Sequence, residues 1–119
     1  MKKRKISDLA VEFILKQSEE ELQKLSAAKI ARFLGVSKAY LSQEFKKDQK
    51  ISCPDFIVRE KLHRAFFVLN MNREKSIDKL AKELGFPTTD DFNIEFEKYH
   101  AITPERYKVI LSKTSRPQP

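Results

Sequence analysis

Residues 30–56 read IARFLGVSKAYLSQEFKKDQKISCPDF, and residues 80–107 read LAKELGFPTTDDFNIEFEKYHAITPERY. The second stretch repeats the first. Ile30-Ala31 and Leu34-Gly35-Val36 align with Leu80-Ala81 and Leu84-Gly85-Phe86 at an offset of 50 residues. Leu41, Glu44-Phe45, Lys47, Ile51-Ser52 and Phe56 align with Phe92, Glu95-Phe96, Lys98, Ile102-Thr103 and Tyr107 at an offset of 51, so the second copy has one extra residue in its turn. In each copy a short helical pattern with an interior alanine runs into a glycine. A longer helical pattern follows, opened by hydroxyl or acidic capping residues. The small alanine lets two helices cross closely, and glycine tolerates positive φ at a sharp turn. That is the layout of a helix-turn-helix.

Helical spacing continues on both sides of the repeat. Upstream, Ile6, Leu9, Ala10, Phe13 and Ile14 share a face, with Ser7 or Asp8 expected as the cap. Ser18-Glu19-Glu20-Glu21 reads as a polar break or a helix tail, and a short helix follows from about Ser26 to Gly35. Ser37 reads as the N-cap of a helix that buries Leu41 and Phe45. Between the copies, Pro54 suits the first turn of a helix running to about Asn72, with Ile57, Val58, Leu62, Ala65, Phe66 and Leu69 as its apolar positions. Of these, Leu62, Ala65, Phe66 and Leu69 are expected to form one core uniting both repeats. Downstream, Ser76 caps a helix stopped by Gly85, and Thr88 or Thr89 opens one holding Phe92, Phe96 and Tyr99. Thr103-Pro104-Glu105 opens the last, with Tyr107 and Leu111. Phe66, Phe67 and Phe96 read as core residues and not as stacking platforms.

The resulting expectation is an all-α fold of about seven helices, two helix-turn-helix subdomains joined by a long central helix. The boundaries are a basic N-terminal arm at 1–5, a first subdomain at 6–52, a linker helix at 53–72, a second subdomain at 73–112 and a flexible tail at 113–119.

Composition agrees with this class. The 119 residues make one ordinary domain or two small subdomains, and 40% hydrophobic with 34% charged residues is a globular mixture. Two glycines and five prolines are too few turn signals for a sandwich or barrel. The single cysteine, Cys53, excludes an internal disulfide and a cysteine-rich metal site. Its place near a helix start could lower its pKa, but a lone thiol without partners reads as inert. His63 and His100 lack further ligands at metal-binding spacing, so no metal is expected. No cofactor is expected either, and no polar constellation suggests catalysis. No apolar run reaches the roughly 18 residues of a membrane span, and no signal-peptide core follows the first lysines. A cytoplasmic protein with no membrane partner is the expectation.

Lys plus Arg number 24 against 17 Asp plus Glu, a net charge of +7. Lys2, Lys3, Arg4 and Lys5 carry +4 and the tail carries +2, leaving +1 for residues 6–112. The arm reads as a solvated terminus or as a phosphate-seeking segment. Any phosphate-binding face on the body must come from uneven distribution.

Two copies about 50 residues apart, bridged by one long apolar helix, are far more specific than a lone helix-turn-helix. From about Ile6 to Tyr107 the chain resembles the AraC/XylS family of bacterial transcription regulators, in its two-helix-turn-helix DNA-binding domain. The residues that carry the resemblance are Ser37, Tyr40-Leu41, Phe45-Lys46-Lys47 and Ala65. They continue with Ser76-Ile77, Ala81, Gly85-Phe86, Phe92, Phe96, Lys98, Thr103-Pro104 and Tyr107. The resemblance implies two recognition helices held about 34 Å apart by the central helix, meeting adjacent major grooves of double-stranded DNA. It implies no catalytic chemistry. It places Ala39, Ser42 and Gln43 of the first copy, and Thr89, Asp90, Asn93 and Ile94 of the second, where family members read bases. Gln can pair with adenine, Ser with several base edges, Ala with a thymine methyl and Asp with cytosine N4. Lys38, Tyr40, Lys46 and Lys47, with Lys98 in the second copy, suit phosphates.

The two copies differ in charge. Ser37–Lys50 carries a net +2, whereas Thr88–His100, with Asp90, Asp91, Glu95 and Glu97 against Lys98, carries −3. Acids in a first turn suit the helix dipole but repel phosphates. Two functions follow as expectations. The first is sequence-specific DNA binding that regulates transcription, led by the first motif. The alternative is a degenerate helix-turn-helix that contacts RNA polymerase or another regulator. A standalone chain is expected to be a monomer acting at the bacterial nucleoid, with a dimer possible through a missing domain. The family commonly has glycine where Lys50 and Ala101 stand. Either these residues keep positive φ at about 1 kcal/mol each, or, as expected here, the loops adopt another conformation.

Overall fold

The computed structural model describes residues 4–113. Among the described residues there are eight helices and no strand: α1 (Ile6–Leu15), α2 (Glu19–Gln23), α3 (Ala27–Leu34), α4 (Lys38–Gln49), α5 (Cys53–Met71), α6 (Ile77–Glu83), α7 (Thr89–His100) and α8 (Pro104–Lys113). The expected tail lies outside the described residues except for Lys113, which closes α8, and of the arm only Arg4 and Lys5 are described.

The helix beyond the expected seven is α2, formed by the stretch read as a break. The Glu21 N–H donates to Ser18 Oγ at 3.1 Å while the Ser18 N–H donates to Glu21 Oε1 at 2.9 Å, a reciprocal capping box. Those bonds from Ser18 hold the Glu21 carboxyl below its ordinary range. The run of acids therefore marks a first turn, where the helix dipole favours negative charge. Buried Leu22 pins α2 to the core.

The start of α1 is also corrected. Extended Lys5 precedes the helix and makes no side-chain capping bond, while Ser7 lies inside the helix, fully buried. The other caps follow the sequence. Ser37 accepts from the Tyr40 N–H at 3.1 Å, Ser76 from Lys79 at 3.3 Å, Thr88 from Asp91 at 3.0 Å and Thr103 from Arg106 at 3.2 Å.

The turns show why the repeat is visible in the sequence. Gly35 and Gly85 have φ of 74° and 83°. At the first turn the Val36 N–H reaches the Ala31 carbonyl at 3.0 Å and Gly35 reaches Arg32 at 3.2 Å. At the second, Phe86 reaches Ala81 at 3.0 Å and Gly85 reaches Lys82 at 3.0 Å. Both turns thus close with the same paired bonds, which require the left-handed residue. One residue separates Gly35 from its cap Ser37, whereas Phe86 and Pro87 separate Gly85 from Thr88, which accounts for the slip in register.

Lys50 and Ala101 overturn an expectation. They lie directly after α4 and α7 with φ of 64° and 63°, so both copies keep the left-handed conformation without glycine. The N–H of each still closes its helix, Lys50 to the Lys46 carbonyl at 3.0 Å and Ala101 to the Glu97 carbonyl at 2.8 Å. Those bonds offset part of the steric cost of a Cβ there.

The chain divides into two compact units between Lys61 and Leu62, within α5. In the first, Ala10, Ile14, Leu22, Ile30, Ala31, Leu41, Phe45, Cys53, Phe56 and Ile57 form one buried cluster. In the second, Leu62, Ala65, Leu69, Leu80, Ala81, Leu84, Phe92 and Phe96 are buried. The single core expected through Leu62, Ala65, Phe66 and Leu69 is therefore the second unit's own. Phe66 is half-buried there, stacked on Tyr107 at 4.6 Å and on His100 at 4.7 Å. Phe67 departs from its expected core place at 63% exposure, and Tyr99 is 45% exposed. Phe67 follows Phe66 by one residue, which rotates it about 100° around a helix with 3.6 residues per turn, away from the buried stripe.

Candidate nucleic-acid interface

Helices α4 and α7 stand second in their helix-turn-helix pairs, and each has a buried and an outward side. Leu41 and Phe45 are wholly buried on α4, as are Phe92 and Phe96 on α7. In α4 this leaves Lys38, Ala39, Tyr40, Gln43, Lys46 and Lys47 exposed, with Ser42 half-buried. Of the seven α4 residues expected at bases or phosphates, six are thus solvent-exposed and Ser42 is half-buried. Lys47 Nζ lies 3.2 Å from Glu44 Oε1, and that hydrogen bond holds its pKa above the ordinary lysine value. Lys47 stays cationic, but part of its field is directed at Glu44.

In α7 the exposed positions are Asp90, Asp91, Ile94, Glu97, Lys98 and Tyr99, and Thr89, Asn93 and Glu95 are half-buried. Lys98 Nζ lies 4.0 Å from Glu95 Oε2. Asn93 has its Oδ1 buried without a hydrogen-bond partner. Reading adenine requires both ends of an amide at the base edge, and one end of this amide is turned into the protein. Ile94, which aligns with Gln43, is 58% exposed.

Two contacts outside these lists were missed in the sequence. Ser7 Oγ donates to Asp48 Oδ2 at 2.9 Å, joining α1 to the last turn of α4. The signal for it was present: Ser7 shares a stripe with Ala10 and Ile14, and Asp48 shares one with Leu41 and Phe45, so each is polar on an apolar face. The second contact uses the arm. Arg4 lies 3.0 Å from Glu12, and this hydrogen bond holds the Glu12 carboxyl below its usual range. Lys5 lies 3.9 Å from Asp48. Both described cations of the arm thus have carboxylate partners on the body.

Cys53 is fully buried at the start of α5, and burial pushes its thiol up to about 11. It is protonated at neutral pH, and a helix start does not activate it. His63 is exposed, whereas His100 packs among Phe66, Phe96 and Tyr99. Among the described residues, no helix is long and apolar enough to cross a membrane.

Comparison with known proteins agrees with this geometry. A family model described as a helix-turn-helix domain matches residues 30–109, from within α3 to within α8. The Msm operon regulatory protein of Streptococcus mutans is 27% identical over 79 residues, which is 66% of this chain and 28% of that protein. The C-terminal domain of AraT, a response regulator from Geobacillus stearothermophilus, has a TM-score of 0.78 at 26% identity, covering 90% of this chain and 86% of that one. A transcriptional regulator of the AraC-type DNA-binding-domain-containing proteins from Chromobacterium violaceum has the same fold. Its TM-score is 0.78 at 24% identity, with 92% of this chain and 95% of that one covered. The chain spans between 13% and 29% of the curated relatives it matches. With paired helix-turn-helix units, a family match over most of its length and neighbours of the same architecture, this chain belongs to the AraC-type helix-turn-helix family of DNA-binding domains, which is not a class of enzymes.

Proposed function

We propose that the chain binds double-stranded DNA sequence-specifically and regulates transcription, with α4 leading in base reading. The observation that carries this is the outward face of α4, where Ala39 and Gln43 are exposed among Lys38, Lys46 and Lys47. In this reading Ala39, Ser42 and Gln43 face base edges, and Lys38, Tyr40, Lys46 and Lys47 hold phosphates. Helix α7 contributes more weakly through Thr89, Asp90 and Asn93, with Lys98 toward the backbone. Selection of binding sites from random duplexes, followed by competition with unrelated DNA, tests it. A preferred duplex that unrelated DNA fails to displace is expected. Equal competition by unrelated DNA overturns it.

A second reading concerns α7 alone. Exposed Ile94, flanked on its helix by Asp90, Asp91 and Glu97, combines an apolar residue with negative charge. That combination favours a protein surface such as RNA polymerase or another regulator over a phosphate backbone. Ile94→Ala separates the two: a protein contact predicts lower transcriptional output at unchanged DNA affinity, whereas a base contact at this position predicts lower DNA affinity.

A further inference from the structure

Leu41 and Phe45 decide which side of α4 meets the core, but apolar contact is non-directional and tolerates small rotations about the helix axis. With side-chain tips about 5–6 Å from the axis, a roll of about 10° moves them by about 1 Å, which is more than base-edge hydrogen bonds accept. A directional bond to a neighbouring helix narrows that freedom further than packing alone. The Ser7–Asp48 bond has the required properties. It is short at 2.9 Å, has a carboxylate acceptor, and joins residues 41 apart in sequence. Ser7 has no exposed surface and the Asp48 side chain is only 16% exposed, so water competes little for the bond.

The second unit carries a counterpart. Ser7, Ala10 and Ile14 on α1 have the same spacing as Leu62, Ala65 and Leu69 on α5, and all six are buried. His100, in the last turn of α7, has its Nε2 3.1 Å from the Leu62 carbonyl, with the ring nitrogen as donor because a carbonyl only accepts. In each unit the first residue of the buried stripe therefore meets a polar side chain from the last turn of α4 or α7, although His100 stands one residue beyond the position that aligns with Asp48. The chemistry differs, a serine hydroxyl in one unit and a main-chain carbonyl in the other. Fastening at that point is what the two units share.

We propose that Ser7 and Asp48 are positioning residues whose bond sets the roll of α4 and thereby its discrimination between DNA sequences. This rests on the reading of α4 as a base-reading helix. Neither residue touches DNA in this proposal; both act through the placement of Ala39, Ser42 and Gln43.

The test uses the full chain and measures the ratio of affinities for the selected duplex and an unrelated one, at fixed salt. Ser7→Ala and Asp48→Ala are each expected to lower that ratio about tenfold, near the low end of the cost of one base contact. The double variant should lose no more than Asp48→Ala alone, because Asp48→Ala already removes the Ser7 bond along with the Lys5 ion pair. Asp48→Asn keeps an acceptor for the Ser7 hydroxyl, so it should hold the ratio near the wild-type value while raising affinity for both duplexes. A purely structural role moves the denaturation midpoint without this pattern. An unchanged ratio in folded Asp48→Ala overturns the proposal. So does an additive double variant, or an Asp48→Asn variant as impaired as Asp48→Ala. If Ser7→Ala fails to fold, the comparison of Asp48→Ala with Asp48→Asn decides alone. A wild-type chain with no preference among duplexes overturns the base-reading assignment and this inference with it, a result visible before any variant is made.

Discussion

Helices α4 and α7 are each twelve residues long, start behind a hydroxyl cap that accepts from the third N–H and end in a left-handed residue that is not glycine. Each turns two fully buried apolar side chains inward. Their outward faces differ. Lys38, Lys46 and Lys47 are exposed on α4, whereas Asp90, Asp91 and Glu97 are exposed on α7. A few caps, one turn glycine and a buried pair are enough to specify the motif in this fold. The remaining positions are free to diverge, and they set the field that an approaching phosphate meets.

The largest effects should test the shared part. Phe45→Ala and Phe96→Ala each empty a fully buried site. Each is expected to cost about 3–5 kcal/mol in denaturant unfolding. Losses that differ by more than about 2 kcal/mol would break the equivalence of the two buried sides.

Next comes the divergent part. Gln43→Ala should cost about 1–3 kcal/mol of binding to the selected duplex and relax one base preference. Asn93→Ala should cost much less, because one end of its amide is already buried. Equal losses in binding titrations would make α7 a working reader despite its acids.

Strain gives a smaller, symmetric effect. Lys50→Gly and Ala101→Gly should each stabilise by about 1 kcal/mol, since both sites have positive φ and the residues there carry a Cβ. The gain is reduced by the larger entropy of glycine in the unfolded chain. A loss of stability at one site alone would show that its side chain makes a compensating contact, for which Lys50 Nζ to the Lys47 carbonyl at 3.0 Å is the candidate.

Much of this architecture was legible because its determinants are local. Ser37, Ser76, Thr88 and Thr103 cap within three residues of themselves, and Gly35 and Gly85 close turns that span six. What stayed hidden depends on distant partners or on competition between local rules. Ser7 looked like a cap because caps are where serine is most often useful. Its role required Asp48, 41 residues away. The Ser18–Glu21 stretch reads as a polar break or a helix tail, and its three acids mask the capping-box spacing that opens α2. At Lys50 and Ala101 the steric cost of a Cβ at positive φ is visible in the residue type, whereas the backbone geometry the two copies share is not. Phe67 is a large aromatic on an apolar helix and so reads as core, although its helical angle puts it outside. On α4 and α7, alternation against buried residues identified the outward side chains, but only coordinates could show that one end of the Asn93 amide is buried.

The smallest expected effect is also the most direct probe of the charge difference. Asp90 and Asp91 are exposed in the first turn of α7, where they favour the helix dipole and oppose DNA phosphates. Changing both to Asn retains their size and leaves the Thr88 cap intact, since that cap uses the Asp91 backbone N–H. Affinity for any duplex should rise about two- to threefold at low salt, and the gain should fade as the Debye length shrinks from about 10 Å at 0.1 M toward 3 Å at 1 M. Repulsion acts over distance and is screened; a hydrogen bond donated by cytosine N4 to the Asp90 carboxylate would do neither. If the double variant binds more weakly, and only to the selected duplex, the acids make a specific contact, and the contrast between the two helices becomes a division of base preference instead of a division between reader and support. If the gain appears equally on unrelated DNA and vanishes with salt, the acids act only through their field, and α7 is held back from DNA by charge alone.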